Sequence, residues 1–183
     1  MMNYRSLNVS QEIRLKSIKI LDSLARHEKV GRFMMLLEDI SDIELKQRWR
    51  LYWIHCIFEF STLKLQKMSW IEGPEANWPD GEVWASSFEE CMSAYFDTLA
   101  LDDAYAKAIA AANVSQEEAN RANAFHMLAL LYDEPSENPD EILNDPQWIE
   151  VIESAREFWD YLKVTVTSQR EIDLIKKLEK DFY

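Results

Sequence analysis

The sequence has few residues that form tight turns. Its 183 residues include only three Gly and five Pro, whereas a fold built from many short strands needs turn residues at most of its connections. Between these residues, apolar side chains recur every three or four positions, which is the spacing of an amphipathic helix. We therefore expect an all-α, single-domain helical bundle of about six to eight helices.

Cysteine and histidine are also scarce. The two cysteines, Cys56 and Cys91, are far apart, and neither lies in a CxxC pair, so we expect two reduced, buried thiols. The chain has three His and no HExxH sequence, and it lacks a glycine-rich phosphate loop and a nucleophile elbow. The sequence accordingly predicts no metal site and no cofactor.

Long hydrophobic runs are absent. No stretch approaches the ~18 consecutive apolar residues of a membrane-spanning helix. The first residues, MMNYRSLNVSQEIRLK, lack the apolar core of a signal peptide. We therefore expect a cytoplasmic protein that does not contact the membrane.

Positive charge is nearly missing from the middle of the chain. The formal net charge is −13, and residues 71–160 alone carry 3 Lys/Arg and 21 Asp/Glu, a net charge of −18. Such a segment has almost no cations with which to displace the counterions of a nucleic acid, so no direct nucleic-acid binding is expected. The expected ligand is a basic protein partner. The alternative is a solubilising acidic surface, partly neutralised by residues 1–70, whose net charge is +4.

Helix starts are the clearest local signals. Serine followed three residues later by glutamate, the capping-box pattern, occurs at Ser41, Ser87, Ser115 and Ser168, and Asp145-Pro146 is a further start. Together with the apolar spacing, these signals predict seven helices, over 10–29, 32–40, 42–69, 87–112 (with a break at Asp102 as an alternative), 116–132, 146–164 and 169–182. The longest, over 42–69, is predicted to lie at the centre of the bundle.

Two connections are longer than bundle loops usually are. The first, over 70–85, contains Trp70, Trp78 and Trp84. We expect it to fold back over one end of the bundle, although Trp78 could instead anchor a partner. The second, over 133–145, carries six carboxylates but lacks the alternating acids and the glycine of a calcium-binding loop. It is expected to be a solvated acidic loop that could serve as a docking surface.

A polar stripe runs along the predicted central helix. Arg48, Tyr52, His55 and Glu59 recur every three or four residues between two apolar faces. As a catalytic set, Glu59 would orient His55 as a general base, Arg48 would bind an anion, and Tyr52 would donate a proton. As a structural set, the same side chains would pair at the boundary of the core.

Three functions fit these observations. The first is a non-enzymatic acidic binding protein that engages a basic protein partner, as an inhibitor or a toxin-immunity protein does, including by mimicry of nucleic-acid charge. Its partner-binding residues would be Glu75, Trp78, Asp80, Glu82, Glu89, Glu90, Asp97, Asp102 and Asp103. The second is a helical hydrolase of RNA or nucleotides that uses the polar stripe. The third is a homo-oligomeric, for example homodimeric, small-molecule binder that uses the Trp-rich connection.

Overall fold

The residues that the structure describes form helices joined by turns. The computed structural model describes residues 41–81, 83–84 and 86–182, apart from the side chain of Asp80. These ranges contain no strand, and the all-α prediction is confirmed. The α-helices are α1 (Asp42–Ser61), α2 (Leu63–Gln66), α3 (Phe88–Ser93), α4 (Ala106–Ala110), α5 (Gln116–Leu130), α6 (Pro139–Asn144), α7 (Pro146–Thr165) and α8 (Gln169–Phe182). The helices predicted over 10–29 and 32–40 lie outside the described residues.

Four further helical segments of the described chain are not α-helical. Two are π-helical: the first, Lys67–Glu72, continues from α2, and the second, Ala94–Thr98, continues from α3. Two single 3-10 turns, Gly73–Glu75 and Pro79–Gly81, lie in the connection that follows the first π-helical segment.

The predicted helix starts at Ser41, Ser87 and Ser115 are confirmed. In each, the serine hydroxyl accepts a hydrogen bond from the backbone N–H three residues later. At Ser115, the Glu118 carboxylate completes the capping box by accepting from the serine N–H at 2.8 Å. Asp145 caps α7 in the same way, by accepting from a backbone N–H two residues later. These caps satisfy donors that the first helical turn leaves without a partner.

Helix α1 runs through the centre of the bundle. It packs most extensively against α7, and also against α8 and α3. Its Trp53, Ile54 and Phe60 have no exposed surface. One apolar face of α7 is buried along its whole length, at Trp148, Ile152, Ala155, Trp159 and Leu162. Full burial of a large apolar side chain is worth ~1.5–3 kcal/mol, so the contact between α1 and α7 contributes much of the stability of the fold.

The predicted central helix is interrupted at Thr62. The backbone of Thr62 is extended, with φ −127° and ψ 91°, and α2 begins at the next residue. Adjacent Ser and Thr hydroxyls compete with helical hydrogen bonds, which accounts for a break at Ser61-Thr62. The side-chain amide of Gln66 donates to the carbonyl oxygens of Glu59 and Phe60, at 2.7 and 3.2 Å. It thereby bonds carbonyls that the break removes from the helical pattern.

The predicted helix over 87–112 is broken near Asp102, as the alternative interpretation has it. The second π-helical segment ends at a turn in which Ala100, Ala104 and Tyr105 adopt positive φ. Residues with a Cβ rarely adopt this left-handed backbone, and the composition of the segment gives no sign of it. The turn places the Tyr105 hydroxyl in the core.

Both long connections contribute side chains to the core or pack against it. In the first, over 70–85, Trp70 packs against Trp148, and Trp84 packs against Phe182, so this connection folds back over the bundle.

The acidic connection over 133–145 is not wholly a loop, because it contains α6. Asn138 caps α6 by accepting from the N–H of Asp140 at 3.0 Å. Ile142 and Leu143 are buried, so this short helix is anchored to the core while its carboxylates remain exposed.

Candidate functional site

The side chains of the polar stripe on α1 form ion pairs, ring contacts and hydrogen bonds with surrounding residues. Arg48 forms an ion pair with Glu44, one turn earlier, at 2.9 Å. His55 is half-buried, and its ring centroid lies 3.4 Å from that of Trp84 and 6.4 Å from that of Tyr52. Burial lowers the pKa of His55 to about 3. The imidazole is therefore neutral near pH 7, but its low proton affinity makes it a weak general base.

Glu59 is the most deeply buried of the four stripe residues that were predicted to be catalytic. Its side chain is 4% exposed and accepts a hydrogen bond from the indole N–H of Trp70 at 3.2 Å. Burial raises the pKa of Glu59, and hydrogen bonds from Ser86 and Trp70 oppose that effect. Within the described residues, no hydrogen bond joins Glu59 to His55. The catalytic assignment therefore stays a prediction, and its central pair is not assembled.

An ion-pair network that sequence reasoning missed is centred on Arg50, beside the stripe. The guanidinium donates to both carboxylate oxygens of Glu171, at 2.9 and 3.2 Å, and to Glu118 at 2.8 Å. It also donates to the carbonyl oxygen of Asn113 and lies 5.0 Å from the centre of the Trp53 ring. The network joins α1, α5 and α8, and its bidentate geometry is the strongest form of such a pair.

A line of hydrogen-bonded aromatic side chains crosses the core and was also missed. The Trp53 N–H donates to the Tyr105 hydroxyl at 3.1 Å, and the hydroxyls of Tyr105 and Tyr95 share a hydrogen bond. The Tyr95 hydroxyl lies 3.2 Å from Nδ1 of His126. Burial raises the pKa of both tyrosines and lowers that of His126, so every member is neutral near pH 7. This line fixes the packing of the Tyr105 turn.

The carboxylates predicted to bind a partner are distributed over several short elements. Glu75 lies in the first 3-10 turn, Glu89 and Glu90 lie in the first turn of α3, and Asp97 lies in the second π-helical segment. All four are exposed. Glu89 and Glu90 also stabilise α3, because negative charge is favourable near the N-terminus of a helix.

The other carboxylates predicted to bind a partner either form ion pairs or lie outside the described residues. Asp102 and Asp103 both form ion pairs with Lys107, at 3.6 and 3.4 Å, which partly neutralises them. Glu82 and the side chain of Asp80 are not described.

The predicted anchor Trp78 lies beneath the surface. Its side chain is 7% exposed, and its N–H donates to the carbonyl oxygen of Gly73 at 2.8 Å. The indole borders a groove of about 660 Å³ in which apolar side chains are mixed with two cations and two anions. The other residues that line the groove are Leu63, Lys64, Lys67, Met68, Glu72, Asn77, Pro79 and Asp181. This balance of charge selects neither an anionic nor a cationic ligand.

A continuous row of exposed carboxylates follows α7. Glu150, Glu153, Glu157 and Asp160 are spaced by three, four and three residues and are all exposed, so they share one face of the helix. We call this row the acidic ridge; it extends over ~15 Å at the α-helical rise. Within the described residues only Asp160 has an ion-pair partner, Lys163 at 2.6 Å. The spacing is visible in the sequence, but the exposure follows from how α7 packs.

Few cations of the described residues from outside the acidic middle of the chain form ion pairs with its carboxylates. Among the described ion pairs, only Arg50–Glu118 and Lys163–Asp160 bring a cation from outside residues 71–160 onto a carboxylate within them. Most carboxylates of residues 71–160 therefore have no ion pair with a described cation, and the cations of residues 1–40 lie outside the described residues.

The described chain shows neither a membrane span nor a metal centre. No helix there combines the length and the apolar character needed to cross a membrane. No three His, Cys, Asp or Glu side chains of the same residues come together as a set of metal ligands. No family model matches the chain, and no curated protein or solved structure matches it.

Proposed function

We propose that the protein is a non-enzymatic binding protein whose acidic middle segment engages a basic surface of a partner protein. The observation that carries the proposal is the acidic ridge. It presents four carboxylates on one exposed helix face, three of them without an ion pair among the described residues. A row of like charge creates a field that steers a cationic partner and accelerates its association.

The chemistry of the partner follows from this field. Lysine and arginine side chains arranged in a row would meet one carboxylate about every 5 Å along α7. Proteins that bind nucleic acids present such rows to phosphates. An inhibitor or immunity protein that occupies a nucleic-acid-binding surface is therefore the form of this function that the ridge supports best.

The test begins with capture and is decided with purified components. The tagged full-length chain is used to capture proteins from a lysate, and proteins released by raising the salt concentration are identified and purified. Binding of each candidate is then measured across a salt series. We expect an affinity that falls steeply with salt, because the attraction between exposed charges is screened.

Two variants with equal charge change locate the interaction. Glu150→Gln/Glu153→Gln/Glu157→Gln removes three charges from the ridge, and we expect it to weaken binding at low salt by about tenfold or more. Its matched control is Glu89→Gln/Glu90→Gln/Asp97→Asn, which removes three charges from α3 and the second π-helical segment. If only the control set weakens binding, the partner sits on the residues that the sequence predicts. An affinity that neither set nor salt changes contradicts the proposal.

A further inference from the structure

The C-terminal half of α5 is apolar on its solvent face. Ala124, Met127, Leu128 and Leu131 are exposed and spaced as i, i+3, i+4 and i+7 along α5 and its C-terminal turn, so they form one row, which we call the apolar stripe. Leu131 is 74% exposed, and Met127 and Leu128 are each 37% exposed. A surface helix usually carries polar residues on this face. The opposite face of α5 is buried in the core, so the stripe is a second apolar face without a cover in the described chain.

The stripe runs beside α7, and the two helices are antiparallel. Phe125 stacks with Phe158, with their ring centroids 5.8 Å apart, and the ring centroids of Tyr132 and Trp148 are 5.0 Å apart. Residue numbers on α7 therefore fall as those on α5 rise. It follows that Leu131 lies at about the level of Glu150 along the pair of helices.

The stripe and the acidic ridge border the same solvent edge of this helix pair. The exposed guanidinium of Arg121 lies 5.5 Å from the centre of the Tyr161 ring and marks that edge. On α5, Ala124 and Leu128 of the apolar stripe lie three and seven residues after Arg121, on the same side of the helix. On α7, Glu157 and Glu150 of the acidic ridge lie four and eleven residues before Tyr161, again on the same side of the helix.

Further carboxylates close one end of this surface. Immediately after the stripe, the chain turns toward α6 and exposes five acids, Asp133, Glu134, Glu137, Asp140 and Glu141. The apolar row is thus bounded by negative charge along one side and at its C-terminal end. Arg121, a cation on this edge, is paired with Glu117 at 2.8 Å.

We propose that this surface binds an amphipathic helix with basic flanks, contributed by the partner protein. Its apolar residues would cover the apolar stripe, in the way that i, i+3, i+4 and i+7 anchors enter a helical groove. Its lysines and arginines would pair with the acidic ridge. The proposal rests on the proposed function and narrows it, because it states where the basic partner binds and that apolar anchors contribute to the affinity.

The charge of the surface selects this occupant over two others. A second copy of the chain, joined through the same surface, would bring two acidic ridges together, and like charges oppose such a contact. An anionic membrane would be repelled by the same carboxylates. A basic amphipathic helix satisfies both the apolar and the acidic half of the surface.

The test uses synthetic helix-forming peptides and the full-length chain. The probe peptide has leucines on one face and lysines along the flanks; one control peptide has the same composition in scrambled order, and another has glutamates in place of lysines. We expect the probe to bind, the two control peptides to bind much more weakly, and the shifted amide NMR signals to belong to α5 and α7. Binding of the scrambled peptide with equal affinity would overturn the proposal, as would shifts confined to α3.

Variants of the chain separate the two proposals. Leu128→Gln/Leu131→Gln should weaken probe binding by about tenfold or more at every salt concentration, whereas Ile43→Gln/Val164→Gln, at two residues each 81% exposed, should have little effect.

If the stripe variant binds normally while the Glu150→Gln/Glu157→Gln variant loses affinity, the helix-docking proposal fails and the acidic binding function stands. If the stripe variant alone loses affinity, the acidic function fails. If the probe does not bind at all, the helix-docking proposal is wrong, and the salt series with purified partners decides the function.

Discussion

The guanidinium of Arg50 is held by carboxylates from two other helices, and all three side chains are largely shielded from water. Their exposed fractions are 15% for Arg50, 14% for Glu118 and 7% for Glu171. Removing one charged side chain of this shielded group leaves the charges of its partners without compensation. We expect Arg50→Met to lower the free energy of unfolding by about 3 kcal/mol, measured by urea denaturation at pH 7.

Two further variants test the cause of that loss. Arg50→Lys keeps the charge but cannot make the two parallel hydrogen bonds to Glu171, so it should recover only part of the stability. Arg50→Met combined with Glu118→Gln and Glu171→Gln removes the unpaired charges and should be more stable than Arg50→Met alone. An Arg50→Met protein as stable as the wild type would show that the network contributes nothing.

His55 is the residue at which the enzymatic interpretation can be tested directly. Its pKa of about 3 in the folded protein compares with about 6.5 for an unperturbed histidine. We expect the imidazole NMR signals of His55 to show no titration between pH 8 and pH 5. A titration of His55 near pH 7 would contradict the packing against Trp84 and would restore its role as a general base.

The same low pKa makes stability depend on pH. Between its folded and unfolded pKa values, His55 is protonated only in the unfolded chain, so protons favour unfolding there. The contribution of neutral His55 is complete above about pH 6.5 and is lost progressively as the pH falls toward 3. A His55→Leu variant should therefore lose less stability than the wild type between pH 6.5 and pH 4 in denaturation experiments. An unchanged pH dependence would show that His55 is protonated in the folded protein too.

At the scale of elements, the junction between α1 and α2 depends on one glutamine. Besides the two carbonyls to which its amide group donates, the Gln66 side-chain oxygen accepts from the indole N–H of Trp148 at 3.1 Å. Replacement by leucine would leave buried donors and acceptors unpaired, at about 1–3 kcal/mol for each group that finds no water. We expect Gln66→Leu to destabilise the protein by about 2 kcal/mol or more, as measured by urea denaturation.

The neighbouring Lys64 provides the control for that experiment. It is exposed and lies in the same short helix, so Lys64→Ala should change stability little. Equal stability of Gln66→Leu and Lys64→Ala would mean that water replaces the glutamine side chain at the break.

The helices that could be predicted are those whose signals are local. A capping serine or aspartate and the apolar spacing after it depend only on neighbouring residues, and the starts at Ser41, Ser87, Ser115 and Asp145 are confirmed. Helix α6 carries a signal of the same kind, Asn138-Pro139. The sequence interpretation passed over it because the acids around it indicated a loop.

The features that could not be predicted depend on contacts between distant residues. Tyr105 has a positive φ, and its side chain is hydrogen-bonded to Trp53 and Tyr95, neither of which is a sequence neighbour. Glu171 fits the capping-box pattern after Ser168, but its carboxylate accepts from Arg50. For the candidate site, the spacing of the acidic ridge is local information. Its exposure beside the apolar stripe required knowledge of how α5 and α7 pair.

At the scale of the whole molecule, charge and apolar surface oppose one another. The net charge of −13 repels a second copy, while the exposed side chains of the apolar stripe favour contact between copies. Because salt screens repulsion between exposed charges, we expect a monomer at low ionic strength and increasing self-association as salt is added, measured by sedimentation velocity. Leu128→Gln/Leu131→Gln should remain monomeric throughout the series, while Ile43→Gln/Val164→Gln should behave as the wild type. Self-association that weakens as salt is added would instead mean that the acidic middle of one copy binds basic residues of another, which is the charge-driven form of the homodimer.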